Sequence, residues 1–221
     1  MFNSGGWMIS TNASYSSLLA YYPLTKNAND YSKRQVNGIS NNGVVYNGSY
    51  AYFDGINDWV NIGNSSSFSP TTGEITFSYW VKTLDNAYEI FSNWFGSGFN
   101  GLNIGQYNTT KADFFIGSSL HLISTTSINT NTWYHVVGTW SGITSSANLY
   151  INGIKEAYST AAPLSLSYTS NFTDGNVHIG NCTSGGYFFN GSIANLRIYN
   201  KALSDTEILQ LYNSEKYIQV F

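Results

Sequence analysis

Apolar and polar residues alternate along much of the chain with a period of two. In EITFSYWVKT, Ile75, Phe77, Tyr79 and Val81 fall on one side of an extended chain, and Thr76, Ser78, Trp80 and Lys82 on the other. Successive side chains of a strand point to opposite faces, so this run predicts a strand packed on one face, with Trp80 as the exception on the polar side. YAYFDG, DWVNIG, WYHVVGTWS, ANLYING and VHIGN have the same strand character and are separated by clusters of Gly, Asn and Ser. In NLYINGIKEAY, Asn152-Gly153 sits between two alternating runs. That predicts a tight hairpin closed by a type I′ turn.

One stretch changes period. FNGSIANLRIYNKALSDTEILQLYN, residues 189–213, opens with the β-formers Ile193, Leu196, Ile198 and Tyr199, then passes to apolar positions three and four apart, Ile208, Leu211 and Tyr212. Ser204 and Glu207 have the spacing of a reciprocal capping box, with Leu203 and Ile208 at the hydrophobic-staple positions. A helix this short does not hold in isolation, so its apolar face is expected to lie on a sheet. Many short antiparallel strands and one dependent helix predict an all-β domain of two packed sheets, a sandwich rather than a barrel.

Composition narrows the partners. The 221 residues include only three prolines and no charge block, which fits one large domain. Only 10% of residues are charged and the formal net charge is -3, so there is no basic patch for phosphates, and nucleic acid is excluded as the expected partner. No apolar run approaches the roughly 20 residues that cross a bilayer, so no membrane insertion is expected. The first residues lack the basic start and apolar centre of a signal peptide; display outside a cell would need a processed form or another route, such as packaging in a virion. Cys182, the single cysteine, has no partner for an internal disulfide. Seven N-x-S/T sequons are present, a number that the abundance of Asn, Ser and Thr produces by chance. Residues 1–17, polar apart from Trp7, Met8 and Ile9, read as an arm, and residues 214–221 as a tail.

The order of the motifs carries more than any one of them. AYYPLTKNANDYS, AYFDGINDWVNIG, ITFSYWVKT, WYHVVGTW, LYINGIKEA, HIGN and the closing FNGSIANLRIYNKALSDTEILQLY follow one another as in the laminin-G-like, concanavalin A-like jelly rolls related to pentraxins. The chain resembles that family over residues 18–213. The resemblance implies a two-sheet antiparallel jelly roll with one short C-terminal helix. It also implies a structural calcium ion, with Asp30 at the family's N-A-x-D position and carbonyls near Gly38 as further ligands. Where relatives often carry acids after G-x-I, this chain has Ala194 and Asn195, so calcium binding is expected to be weak or absent. Asp54 and Asp58 form a second oxygen cluster, in a D-G-x-N-D segment that also reads as an ordinary turn.

Catalysis finds little support. Related sandwich folds include retaining glycoside hydrolases with paired carboxylates on one strand, and no E-x-D-x-E triplet occurs here. His121, His135 and His178 lie far apart in strand-like runs with no nucleophile motif, which favours hydrogen-bonding roles over chemistry. Glycan binding needs an aromatic platform flanked by amides, and NWFGSGFNG offers Trp94, Phe95 and Phe99 with Asn93 and Asn100. Those aromatics could equally cover a sheet edge. The expected function is a non-catalytic recognition or adhesion module on a cell or virion surface, with a glycan or glycoprotein as partner. The rival is a structural subunit of a capsid, filament or appendage. In that reading the apolar patches GGWMIS and KYIQVF add as terminal strands to a neighbour's sheet, giving self-association.

Overall fold

The computed structural model describes residues 16–68, 73–85, 91–92, 102–106, 110–116, 120–141, 147–157, 175–182 and 186–217. Within them the chain forms two antiparallel sheets packed face to face, with a helix on the outside of one.

The first sheet contains β1 (Leu18–Tyr22), β3 (Val45–Tyr46), β4 (Ala51–Asp54), β6 (Ile75–Thr83), β11 (Tyr134–Trp140), β12 (Ala147–Ile151), β13 (Ile154–Lys155) and β15 (Asn190–Tyr199). Its order is β13-β12-β11-β6-β15-β4-β3. The long β15 pairs along one edge with β6, and along the other with β4 at Asn190–Ile193 and with β1 at Leu196–Tyr199. The second sheet contains β2 (Ile39–Asn41), β5 (Trp59–Asn64), β7 (Phe91–Ser92), β8 (Leu102–Gln106), β9 (Lys111–Ile116), β10 (Leu120–Ser127) and β14 (Asn176–Ile179), in the order β10-β9-β8-β7-β14-β5-β2.

The predicted parity of β6 is the observed one. Ile75, Phe77, Tyr79 and Val81 join Val60, Ile62, Phe114, Val136, Leu196 and Ile198 in the core between the sheets. Gly138, in the middle of β11, leaves room for the ring of Phe114 from the facing sheet; a Cβ there would lie 2.8 Å from it. The Asn152-Gly153 hairpin is also as expected. Both residues have positive φ, 53° and 77°, and Ile151 pairs with Ile154 across the turn.

Helix α1 (Asp205–Glu215) begins with the predicted capping box. The Ser204 hydroxyl accepts the Glu207 amide at 3.3 Å, and the Glu207 carboxylate accepts the Ser204 amide at 2.9 Å. Ile208 and Leu203 pack with Val137, Tyr150 and Tyr199 in a second apolar cluster on the outer face of the first sheet. The outer face of β6 is therefore buried as well. Thr76 Oγ1 donates to the Lys201 carbonyl and accepts the Leu203 amide, holding the segment that enters the helix.

Two expected boundaries shift. The tail was expected from residue 214, but Glu215 belongs to α1 and is buried, 4% exposed. Its partners, Arg197 and Trp80, are too distant in sequence for a local reading to find. At the other end, the Ser17 carbonyl already accepts the Asn200 amide, so residue 17 belongs to the sandwich. Residues 1–15 and 218–221, which carry most of both proposed terminal strands, lie outside the described residues.

Candidate functional site

The outer face of the first sheet gathers aromatic rings around the C-terminal end of α1. Trp80, outward on β6, stacks on Tyr212 of α1 at 5.7 Å between centroids and 19° between planes. His135 of β11 lies beside both, 5.2 Å from Trp80 and 6.0 Å from Tyr212. This answers the exception in the β6 pattern: Trp80 is on the polar parity because α1 covers it, and its Nε1 donates to Glu215 at 2.8 Å. Glu215 is also paired with Arg197 at 2.5 Å, and the Arg197 guanidinium stacks on the Tyr21 ring at 4.1 Å. Burial opposes the charge of Arg197, but Glu215, with Tyr21 and Tyr199 near, outweighs it and holds the guanidinium above its ordinary pKa.

Between this cluster and the neighbouring loops lies an open cleft of about 380 Å³. Trp80 and Tyr212 line one side; Asn131, Thr132 and Trp133, from the turn before β11, line another. Asn152 of the hairpin and Lys216 at the end of α1 complete it. Each position has a local cause. Asn131 adopts a left-handed φ of 57°, and its amide donates to the Thr83 carbonyl at 2.7 Å, fixing the turn to the end of β6. Asn152 Oδ1 accepts the His135 amide at 2.9 Å, so the hairpin is tied to β11. Lys216 Nζ donates to Asn213 Oδ1 at 2.9 Å and lies over the Tyr212 ring at 5.6 Å, where its charge also suits the helix C-terminus.

Trp133 is half-buried and meets Tyr50 at 5.4 Å between ring centroids. Lys82 Nζ lies over both rings, 5.4 Å from that of Tyr50 and 5.6 Å from that of Trp133. Among the described residues that line the cleft, none carries a carboxylate. His135 is fully buried, which pushes its pKa down to about 3, and its Nε2 is 2.8 Å from the Ser78 hydroxyl. It is a neutral hydrogen-bonding residue of the packed face. Burial likewise lowers His178, to about 4, and its ring sits 4.0 Å from that of Trp59, away from the cleft residues in sequence and on the other sheet.

The residues singled out in the sequence fall elsewhere. Asn93, Trp94, Phe95, Phe99 and Asn100 lie outside the described residues. Asp30 is 4% exposed, and both its oxygens already accept protein donors. Oδ1 takes the amides of Tyr21 at 2.9 Å and Ser32 at 2.8 Å; Oδ2 takes the Ser32 hydroxyl at 2.8 Å and the Val36 amide at 3.0 Å. The Gly38 amide donates to the Ala28 carbonyl at 2.8 Å, and a Cβ at Gly38 would lie 2.7 Å from Val60, so this glycine serves close packing. Asp58 accepts the amides of Gly43 and Asp54, and Asp54 accepts those of Ile56 and Asn57, an arrangement of linked turns. Asn195, at the position where relatives carry an acid, adopts a φ of 52° in a bulge of β15 and accepts the Tyr21 hydroxyl at 3.0 Å. These residues fit a calcium ion poorly: both oxygens of Asp30 and of Asp58 and one of Asp54 already accept protein donors, and among the described residues no three His, Cys, Asp or Glu side chains converge.

Comparison with known proteins places the fold. A laminin-G family model, described as the concanavalin A-like lectin/glucanases superfamily, matches residues 54–209. The chain belongs to that superfamily. A curated relative is the pentraxin-related protein PTX3 of Mus musculus, 28% identical over 141 residues, 58% of this chain and 36% of the relative's length. This laminin-G chain thus spans about a third of the curated protein it matches. Among solved structures, a mutant Trypanosoma rangeli sialidase with trans-sialidase activity superposes with a TM-score of 0.71, 17% identity, over 96% of this chain and 35% of that one. The receptor-binding domain of a botulinum neurotoxin C/D mosaic serotype gives 0.70, 19% identity, over 91% and 52%. Domain 4 of AbnA, an extracellular arabinanase from Geobacillus stearothermophilus, in complex with arabinotriose, gives 0.64, 18% identity, over 89% and 98%. At these identities the likeness is one of fold. No helix among the described residues is long and apolar enough to cross a membrane.

Sequence reasoning missed the cleft because its residues come from four separate segments. One local signal was present: Trp133 follows the polar run NTNT and directly precedes a strand, an aromatic side chain held at a sheet's end.

Proposed function

We propose that this domain is a non-catalytic glycan-recognition module displayed outside the cell, and that it binds through the cleft bounded by Trp133, Tyr212 and Lys216. The observation that carries this reading is the combination in one open cleft of aromatic rings and amides. Rings cover the apolar face of a sugar, and amides match its hydroxyls. The volume of about 380 Å³ is at the lower end of ligand sites, a size for a short oligosaccharide segment. The superfamily and the arabinotriose complex of a neighbour of similar fold support a glycan as the partner class. That the described lining residues include no carboxylate supports binding without hydrolysis, since glycoside cleavage ordinarily uses two. Location outside the cell is supported by the extracellular arabinanase neighbour and by a surface made polar by uncharged residues.

A glycan array probed with the full chain tests this. Selective binding that is lost in Trp133→Ala is the expected result. An array with no specific signal, or binding indifferent to Trp133→Ala, overturns the proposal.

A further inference from the structure

We infer that the cleft selects an anionic sugar, one bearing a carboxylate or a sulfate, with Lys82 and Lys216 as the residues that read the charge; this rests on the glycan-binding reading above. The chain as a whole is acidic, with 12 Asp and Glu against 9 Lys and Arg. The cleft has the opposite sign. Lys216 lines it and Lys82 lies over the ring of Trp133, which lines it too.

Among the described residues neither ammonium is paired with an acid. Lys82 approaches the Tyr50 and Trp133 rings, and Lys216 the Tyr212 and Tyr217 rings and the neutral Asn213 amide; neither forms an ion pair with a carboxylate among the described residues. The nearby acid, Glu215, is buried and spent on Arg197 and Trp80. Lys216 on the cleft wall and Lys82 over the ring of Trp133, neither ion-paired among the described residues, put positive charge at and beside an open cleft. Hydroxyls alone need no such charge. An ammonium is a compact point charge suited to carboxylate or sulfate oxygens, and its attraction is weakened by salt because the cleft is open. Contact with the rings restrains the ammonium groups relative to lysines free in solvent.

The test uses matched pairs. Galacturonate and glucuronate oligosaccharides would be titrated into the full chain beside their methyl esters, which keep the shape and lose the charge, with sulfated and unsulfated galactose oligosaccharides as a second arm. At low salt the charged member of at least one pair should bind tenfold or more tighter than its neutral partner. That ratio should shrink severalfold at 0.5 M salt. The double substitution Lys82→Gln and Lys216→Gln should bring the charged-to-neutral affinity ratio within each matched pair close to one, because the charged member loses far more affinity than its neutral partner. The carboxylate and sulfate arms then show which acid is taken. Neutral oligosaccharides binding as tightly as charged ones, or a double variant that weakens both equally, overturns the inference and leaves the glycan-binding reading intact. Failure of every charged and neutral glycan to bind overturns both.

Discussion

Asp30 shows how one side chain organises a segment. Its carboxylate collects three backbone amides and a hydroxyl from Tyr21, Ser32 and Val36, closing the irregular stretch after β1 onto that strand. An unsatisfied buried amide costs about 1–3 kcal/mol, so Asp30→Ala should destabilise the domain by about 3 kcal/mol or more in urea melts, equally with calcium and with chelator. A loss seen only with calcium present would identify Asp30 as a metal ligand instead. His135 gives a second expectation. Neutral in the fold with a pKa near 3, against about 6.5 when unfolded, it leaves the unfolded chain binding more protons between those values. Stability is therefore complete above pH 6.5 and falls as pH drops toward 3, by about 2 kcal/mol at pH 5 from this residue alone. In His135→Gln the decline between pH 7 and 5 should become shallower by about that amount; an unchanged slope would mean that His135 is not the group that titrates. The family position of Asp30 was legible in the sequence. Its role was not, because an N-A-x-D motif does not say whether the carboxylate faces an ion or the chain's own amides.

Helix α1 is set by local signals at one end and by distant ones at the other. Ser204, Glu207, Leu203 and Ile208 could be read directly, since a capping box and a staple are defined by spacing alone. The last turn could not. Glu215 is held by Trp80, 135 positions earlier, and by Arg197 across the sheet, so EKY looked like the start of a tail. For the same reason Trp80 looked misplaced on its strand. Truncating one member of a buried ion pair strands the other charge, at about 3–5 kcal/mol. Glu215→Ala should cost about that in urea unfolding and loosen the end of α1. Since Tyr212 and Lys216 flank Glu215, the same variant should weaken ligand binding even though Glu215 does not line the cleft. A cost below about 1 kcal/mol would show that the helix is fixed by its apolar cluster alone. The Asn152-Gly153 hairpin, by contrast, was fully legible, because two residues determine the turn and the alternation on either side sets the register.

At the scale of the molecule, the order of seven weak motifs was enough to give the sandwich, and the core-facing parity of β6 and the Asn152-Gly153 turn agree with that topology. The cleft needed the folded structure. Residues 80, 131–133, 152 and 212–216 meet only after β6, β11 and the hairpin have paired and α1 has docked. The commitment of Asp30, Asp54 and Asp58 to backbone amides leads to the expectation that the sandwich holds without calcium. A chelator should move the melting midpoint by less than about 3 °C, near 1 kcal/mol for a domain of this size, and a larger drop reversed by calcium would refute that. The proposed recognition at the cleft beside α1 has a direct readout in solution. Calorimetric titration of the full chain with the tightest oligosaccharide from an array tests it most directly, comparing the wild type with Trp133→Ala and Trp94→Ala. Loss of an anchoring aromatic costs about 2 kcal/mol or more, so Trp133→Ala should weaken binding roughly thirty-fold or beyond. Its melting midpoint should stay within a few degrees, and Trp94→Ala should bind within twofold of the wild type. Unchanged affinity in Trp133→Ala, with binding lost in Trp94→Ala, would overturn recognition at the cleft and move the site to residues 93–101.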